Sequence, residues 1–161
     1  MEQTSFRREV RESDMDQVHR LAEATGFFSP REVEVAVELV AERLCKGPSS
    51  GYHFLLADND AGNVSGYVCF GPIPCTWSSF DLYWIIVHPQ TQGLGLGKRL
   101  LAASEAEMAI LGGNRIYIET SSQPLYLPTR RFYEHCGYSL EAQLKDYYAP
   151  GDDKQIFCKS W

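Results

Sequence analysis

The chain lacks any apolar run approaching the roughly 18 residues that a membrane span requires, which argues against a bilayer-crossing protein. Its five cysteines, Cys45, Cys69, Cys75, Cys136 and Cys158, form no CxxC pair and are odd in number. That spacing suggests neither a disulfide framework nor a zinc site, and the thiols are expected to be reduced. Clusters of lysine and arginine are also missing, and the net charge is -6. Neutralising phosphates needs such clusters, so nucleic acid is not expected as a partner. The opening stretch MEQTSFRREVRES has no apolar centre of the kind a secretory signal carries, which leads to an expectation of a cytoplasmic protein. No repeat, linker or low-complexity tract interrupts the 161 residues, of which 44% are hydrophobic and 12% aromatic. One globular domain, 1–161, is expected, large enough to bury a core. The acidic balance suits a cationic or amine substrate.

Hydrophobic spacing and turn residues divide the chain. FRREV at 6–10 reads as a first strand. Ser13, with Asp16 three residues on, reads as the cap of a helix that places Val18, Leu21 and Ala22 on one face and closes at Gly26. SPRE at 29–32 repeats the start signal, with Pro30 at the first helical position and an end near Cys45. Residues 52–58 and 64–71 read as a hairpin. A fourth strand over 80–88 is apolar enough at its end to suggest burial on both faces. A helix over 97–111 carries Leu100, Leu101, Met108 and Leu111 toward a core and stops at Gly112 and Gly113. Residues 115–120 alternate as a fifth strand, a helix runs from Pro128 to Gly137, and two strands follow near 138–147 and 154–159. The expected fold class is α/β, with order β-α-α-β-β-β-α-β-α-β-β. It forms a mixed, mostly antiparallel seven-stranded sheet with helices on both faces.

QTQGLGLGKRLL, at 90–101, joins the fourth strand to a helix through alternate glycines. Such a turn gathers unpaired N–H groups and the positive end of a helix dipole in one place, which is what phosphate oxygens require. Two familiar phosphate loops do not match. The mononucleotide loop GxxxxGK followed by Ser or Thr fails at Gln92 and at Arg99. The dinucleotide pattern GxGxxG, counted from Gly93 and Gly95, meets Lys98 where its third glycine belongs. Gln92-Gly93-Leu94-Gly95-Leu96-Gly97 fits a different pattern, in which Gln or Arg is followed after two residues by glycine, any residue, and then glycine or alanine.

With the helix RRFYEHCGY at 130–138, that turn resembles the GCN5-related N-acetyltransferase (GNAT) superfamily, and the similarity runs from about Phe80 to Tyr138. The resemblance implies a GNAT fold that binds acetyl-coenzyme A in the splay between the fourth and fifth strands. The pyrophosphate would lie on the amides of Gln92, Gly93, Leu94, Gly95, Leu96, Gly97 and Lys98, and the thioester carbonyl beside Ile86 and Val87. Tyr133 would be the general acid on the coenzyme sulfur, and contacts from Tyr126 and Arg130 would complete the coenzyme site. Tyr126 stands where the family often has asparagine.

Acetyl transfer to an amine needs a neutral nucleophile, a donor for the oxyanion and a proton for the departing thiolate. On the fourth strand Asp81, Tyr83, Ile85 and Val87 share one face, so Asp81 and Tyr83 are the candidate bases or water-positioning groups, with Glu119 on the next strand in reserve. A solvated strand-end role for Asp81, and a packing role for Tyr133, remain open beside these. His88 falls on the opposite face from Val87 and reads as structural, while His19, His53 and His135 lack ligand spacing, so no metal is expected. Phe27, Phe28, Trp77 and Tyr126 lie in loops where an acceptor pocket, core packing or a homodimer contact are all open. The favoured acceptor is a small-molecule primary amine. A protein N-terminus or lysine, or a non-catalytic acyl-coenzyme A sensor, are the alternatives.

Overall fold

The structure, a computed structural model, describes residues 6–161, so the first five residues of the opening stretch considered for a leader lie outside it. No helix among the described residues is long and apolar enough to cross a membrane. The chain divides into two compact units. One comprises the chain up to Gly71 together with Trp84–Glu107, and the other Pro72–Tyr83 with Met108–Trp161.

In the first unit, α1 (Ser13–Ala24) buries Val18, Leu21 and Ala22, as their spacing predicts. It ends at Gly26, whose φ of +66° lets its N–H reach the Glu23 carbonyl at 3.0 Å. Ser13 is not its cap. Glu12 holds that position without a side-chain bond, and the first turn is tied instead by Asp14, whose carboxylate accepts the Arg11 N–H at 2.7 Å. The next helix, α2 (Pro30–Lys46), starts on a complete capping box: the Ser29 hydroxyl accepts from Glu32 N–H, and the Glu32 carboxylate accepts from Ser29 N–H at 2.7 Å.

The hairpin of β1 (His53–Asp58) and β2 (Val64–Pro72) sets Phe54 opposite Cys69 and Leu56 opposite Tyr67. These side chains pack with Val18, Val33 and Val40 of the two helices. Gly66 points the other way, toward α3 (Leu96–Ile110). A Cβ there would sit 3.3 Å from both Leu96 and Leu100, so glycine admits the helix to that face of the sheet.

The expected first strand reduces, among the described residues, to one bridge between Arg7 and Leu56, with N–H to carbonyl bonds of 2.9 and 2.8 Å. The reason is electrostatic. The Arg7 guanidinium reaches Asp14 at 2.7 Å and Asp58 at 2.8 Å and also donates to the Glu9 carbonyl, bending the chain toward α1 where a ladder would have continued.

A further strand, β3 (Ser79–Val87), contributes to both units. Phe80, Leu82 and Ile86 are buried, but Asp81, Ile85 and Val87 are half-buried and Tyr83 is 38% exposed. The strand is therefore covered on one face, not two, because a period of two puts its polar residues together.

The second unit is built on β4 (Arg115–Ser121), α4 (Leu127–His135), β5 (Ser139–Ala149) and β6 (Asp152–Ser160). Parallel pairing joins Ser79–Leu82 of β3 to Arg115–Ile118, while β6 lies antiparallel to both β4 and β5. Phe80, Leu82, Ile116, Ile118 and Phe157 form its buried side. Gly113 lies against it, since a Cβ would fall 2.6 Å from the Phe80 ring and 2.9 Å from the Met108 carbonyl. Leu111, expected in the core, is half exposed, because α3 has ended and Gly112 at φ +88° turns the chain away.

Among the described residues the sheet order is β1-β2-β3-β4-β6-β5, six strands where seven are expected, and the element order begins with two helices.

Replacing Arg7 with Met should destabilise the chain by about 3–5 kcal/mol in urea unfolding at neutral pH, since Asp14 is fully buried and would lose its countercharge. Arg7 also holds the Asp58 carboxyl below its ordinary value by hydrogen bonding. That contribution exists above the ordinary carboxylate range and is lost as pH falls through the lowered value, so wild type and variant should converge in acid.

Candidate functional site

The glycine turn lies in the first unit. After β3, a short 3-10 turn at Pro89–Thr91 is fastened by His88, whose Nδ1 accepts the Gln90 N–H at 3.2 Å and whose carbonyl accepts the Thr91 hydroxyl at 3.0 Å. The Gln92 side chain then donates to the Val87 carbonyl at 3.2 Å, closing the loop on the strand that precedes it. Gly93 and Gly95 take φ of +78° and +80°, the left-handed region that glycine enters without a Cβ penalty.

The first helical bond runs from Arg99 N–H to the Gly95 carbonyl at 3.1 Å, so helix geometry supplies no acceptor to the N–H groups of Leu96, Gly97 and Lys98. A Cβ built at Gly93 or Gly95 meets no atom within 4 Å, so the turn itself is open at those two residues. Leu94 is exposed, Leu96 is buried as an anchor, and Lys98 is exposed beside the turn. The result is a cluster of donors at the positive end of a helix, suited to an anion.

The second unit carries a charged sheet face. The register sets Asp81 opposite Tyr117, puts Glu119 two residues further along β4, and pairs Ser121 with Lys154. Strand alternation therefore places Asp81, Glu119 and Lys154 on one face. Lys154 Nζ bonds Glu119 Oε2 at 2.7 Å, with the lysine side chain 11% and the glutamate side chain 50% exposed. The same ammonium lies 4.3 Å from the centre of the Tyr147 ring. Burial works to lower the Lys154 pKa, but its bonds to Glu119 and Tyr147 leave it raised. Asp81 is half-buried: burial first, then the charge of Glu119, push its carboxyl up, with Lys154 opposing. Lys154 was not singled out in the sequence, although it stands in phase with the buried Cys158 on a strand where a lysine should face water.

Tyr133 and Arg130 lie on α4 in the same unit. Tyr133 is 4% exposed, with its ring centroid 6.0 Å from Tyr138 and 6.3 Å from Phe157, and burial raises its phenol well above the ordinary value. It is thus a packed aromatic whose hydroxyl is held in its protonated form. Arg130 Nη1 donates to the carbonyls of Ser121 at 2.8 Å and Gln123 at 2.9 Å, fastening the turn at Pro124–Tyr126 to the end of β4. Tyr126 occupies the residue before α4. Of the loop aromatics, Phe28 packs edge-on against Trp84 at 5.1 Å and belongs to the core of the first unit, whereas Trp77 is fully exposed. No group of His, Cys, Asp and Glu suited to a metal ion occurs among the described residues.

The family model described as "Acetyltransferase (GNAT) domain" matches residues 50–140. No curated protein sequence matches the chain. Among solved structures, an acetyltransferase of the GNAT family from Desulfovibrio desulfuricans is 47% identical, covering 97% of this chain and 98% of its own, with a TM-score of 0.94. An aminoglycoside 6'-N-acetyltransferase complexed with coenzyme A is 20% identical, covering 93% of this chain and 92% of its own, at a TM-score of 0.76. A spermidine N-acetyltransferase from Vibrio cholerae is 19% identical, covering 97% and 92%, at 0.73. These last two are likenesses of fold.

The raised Asp81 carboxyl has a thermodynamic consequence. A carboxyl that binds its proton more tightly in the folded chain loses stability as pH rises from the ordinary carboxylate range through the raised value. Asp81→Asn should therefore be at least as stable as wild type at neutral pH, and its advantage should shrink on acidification, as read by urea midpoints across a pH series.

Proposed function

The chain belongs to the GNAT acetyltransferase family, and on that premise we propose that it moves an acetyl group from acetyl-coenzyme A directly to a primary amine of a small molecule within a ternary complex. The observation that carries this reading is the open turn from Gln92 to Lys98. Two positive-φ glycines lead into a helix start whose first N–H groups have no acceptor within the helix. A pyrophosphate satisfies such donors, and charge-assisted bonds of this kind are worth about 1.5–3 kcal/mol each. Small cationic acceptors are favoured by the acidic balance of the chain and by the carboxylates of β3 and β4.

Chemistry is assigned as follows. The acceptor arrives as an ammonium and must lose a proton before it attacks, which calls on Asp81, Tyr83 or Glu119. The backbone at Ile86 and Val87 lies next to the thioester carbonyl, where the Val87 N–H supports the oxyanion. Tyr133, which stands at the general-acid position implied by the family resemblance, supplies the proton that the leaving thiolate takes up. Arg130 donates from Nη1 to two carbonyls, and its remaining guanidinium N–H groups are the ones a phosphate contact would use.

Free-thiol release from acetyl-coenzyme A, followed across an amine panel that includes spermidine and an aminoglycoside, tests the reading. Turnover with at least one small amine is expected. Coenzyme binding by calorimetry with no transfer to any amine would point instead to a sensor. Gly95→Val adds backbone strain and covers the amides, so KM for acetyl-coenzyme A should rise by about 10- to 100-fold with the fold retained. Tyr133→Phe should lower kcat by about tenfold or more; wild-type turnover in that variant would remove Tyr133 from the chemistry.

A further inference from the structure

The two carboxylates named as candidate bases do not sit in equivalent surroundings. Glu119 Oε2 is taken by the Lys154 ammonium at 2.7 Å, whereas the ion pairs found among the described residues include none to Asp81. Lys154 is itself confined. Its stem is buried and its head lies under the Tyr147 ring at 4.3 Å.

That ring is held in place by an irregularity in β5. The pairing jumps from Leu144 opposite Lys154 to Ala149 opposite Asp152, so β5 bulges outward between those pairs. Asp146 takes φ +53° at the bulge. Its N–H donates to the Asp153 carboxylate at 2.8 Å, and its own carboxylate accepts the Gly151 N–H at 2.8 Å. A bulge fixed at both ends keeps Tyr147 over the ammonium, and the ammonium on Glu119.

We propose that Lys154 is a positioning residue that commits Glu119 to an ion pair and so leaves Asp81, on the same sheet face, as the carboxylate that takes the proton from the acceptor's ammonium. This rests on the acetyltransferase reading above. In the step, one N–H bond of the ammonium breaks, its electron pair stays on nitrogen, and an O–H bond forms on Asp81. The neutral amine then forms the new C–N bond at the thioester carbon. The C–S bond breaks with its pair going to sulfur, Tyr133 gives its hydroxyl proton to that sulfur, and the second proton lost from nitrogen restores the phenol.

On the sheet face of Asp81 stand Tyr83 of its own strand, Tyr117 and Glu119 of β4 and, beyond Glu119, Lys154 of β6; the charges that act on Asp81 are those of Glu119 and Lys154. Of the charges, Glu119 raises the proton affinity of Asp81 and Lys154 lowers it. Removing each should therefore move Asp81 in opposite directions.

The test is a titration of the full chain labelled with 13C at aspartate carboxyls, with the Asp81 signal identified by its loss in Asp81→Asn. Lys154→Met should move the Asp81 midpoint upward by about one pH unit, Lys154→Arg should leave it in place, and Glu119→Gln should move it downward. With acetyl-coenzyme A and spermidine, or whichever panel amine is turned over, the acid limb of kcat/KM should follow the same three directions. A lysine that merely supports the fold would lower the melting temperature in Lys154→Met and leave both midpoint and limb where they were, which would overturn the proposal. So would loss of transfer in Glu119→Gln with transfer retained in Asp81→Asn. A chain that acetylates no amine but shows the three titration shifts would defeat the acetyltransfer reading and uphold the division between the two carboxylates.

Discussion

A strand can be followed by a helix only if the chain reverses without leaving its backbone donors in an apolar place, and here that reversal passes through Gly93 and Gly95 in the left-handed region. Everything in the first unit agrees with this turn. His88 and Thr91 fasten its entry, Gln92 closes it on the preceding strand, and Leu96 and Leu100 seat α3 against Gly66, where any larger residue would push the helix away. The turn is thus a steric solution to chain reversal, which is why it is so economical in side chains.

The second unit uses strand alternation in the same way. One period-two face supplies Phe80, Leu82, Ile116, Ile118 and Phe157 to the interior, and the opposite face gathers Asp81, Glu119 and Lys154. Confining charges to one partly buried face strengthens their mutual effect, since fewer water dipoles screen them. Burial first, and then the charge of Glu119, raise the Asp81 carboxyl, while the bonds of Lys154 to Glu119 and Tyr147 keep its ammonium raised despite desolvation. The β5 bulge adds an aromatic lid to this arrangement through Tyr147, at the cost of a regular edge strand.

Much of this was readable from local pattern. The capping box at Ser29 and Glu32, the stripe of Val18, Leu21 and Ala22, the hairpin turn at Asn59 and the stop at Gly112 all depend on residues within one or two turns of each other. Where a distant partner competes, local reading fails. FRREV alternates like a strand, but Arg7 is drawn to Asp14 and Asp58, the latter on another strand, and the ladder stops at one bridge. The bonds from Arg130 Nη1 to the carbonyls of Ser121 and Gln123 are likewise invisible to local pattern.

The amino-acid sequence by itself determined the glycine turn, the family, and the face of β3 on which Asp81 lies, because glycine conformation and a period of two are properties of neighbouring residues. Only the tertiary structure decided which carboxylate is occupied. The pairing of Glu119 with Lys154 depends on the register of β4 against β6, and the position of Tyr147 depends on a bulge in β5. Register and bulges are set by contacts between segments far apart in the chain, and no short stretch of residues contains that information.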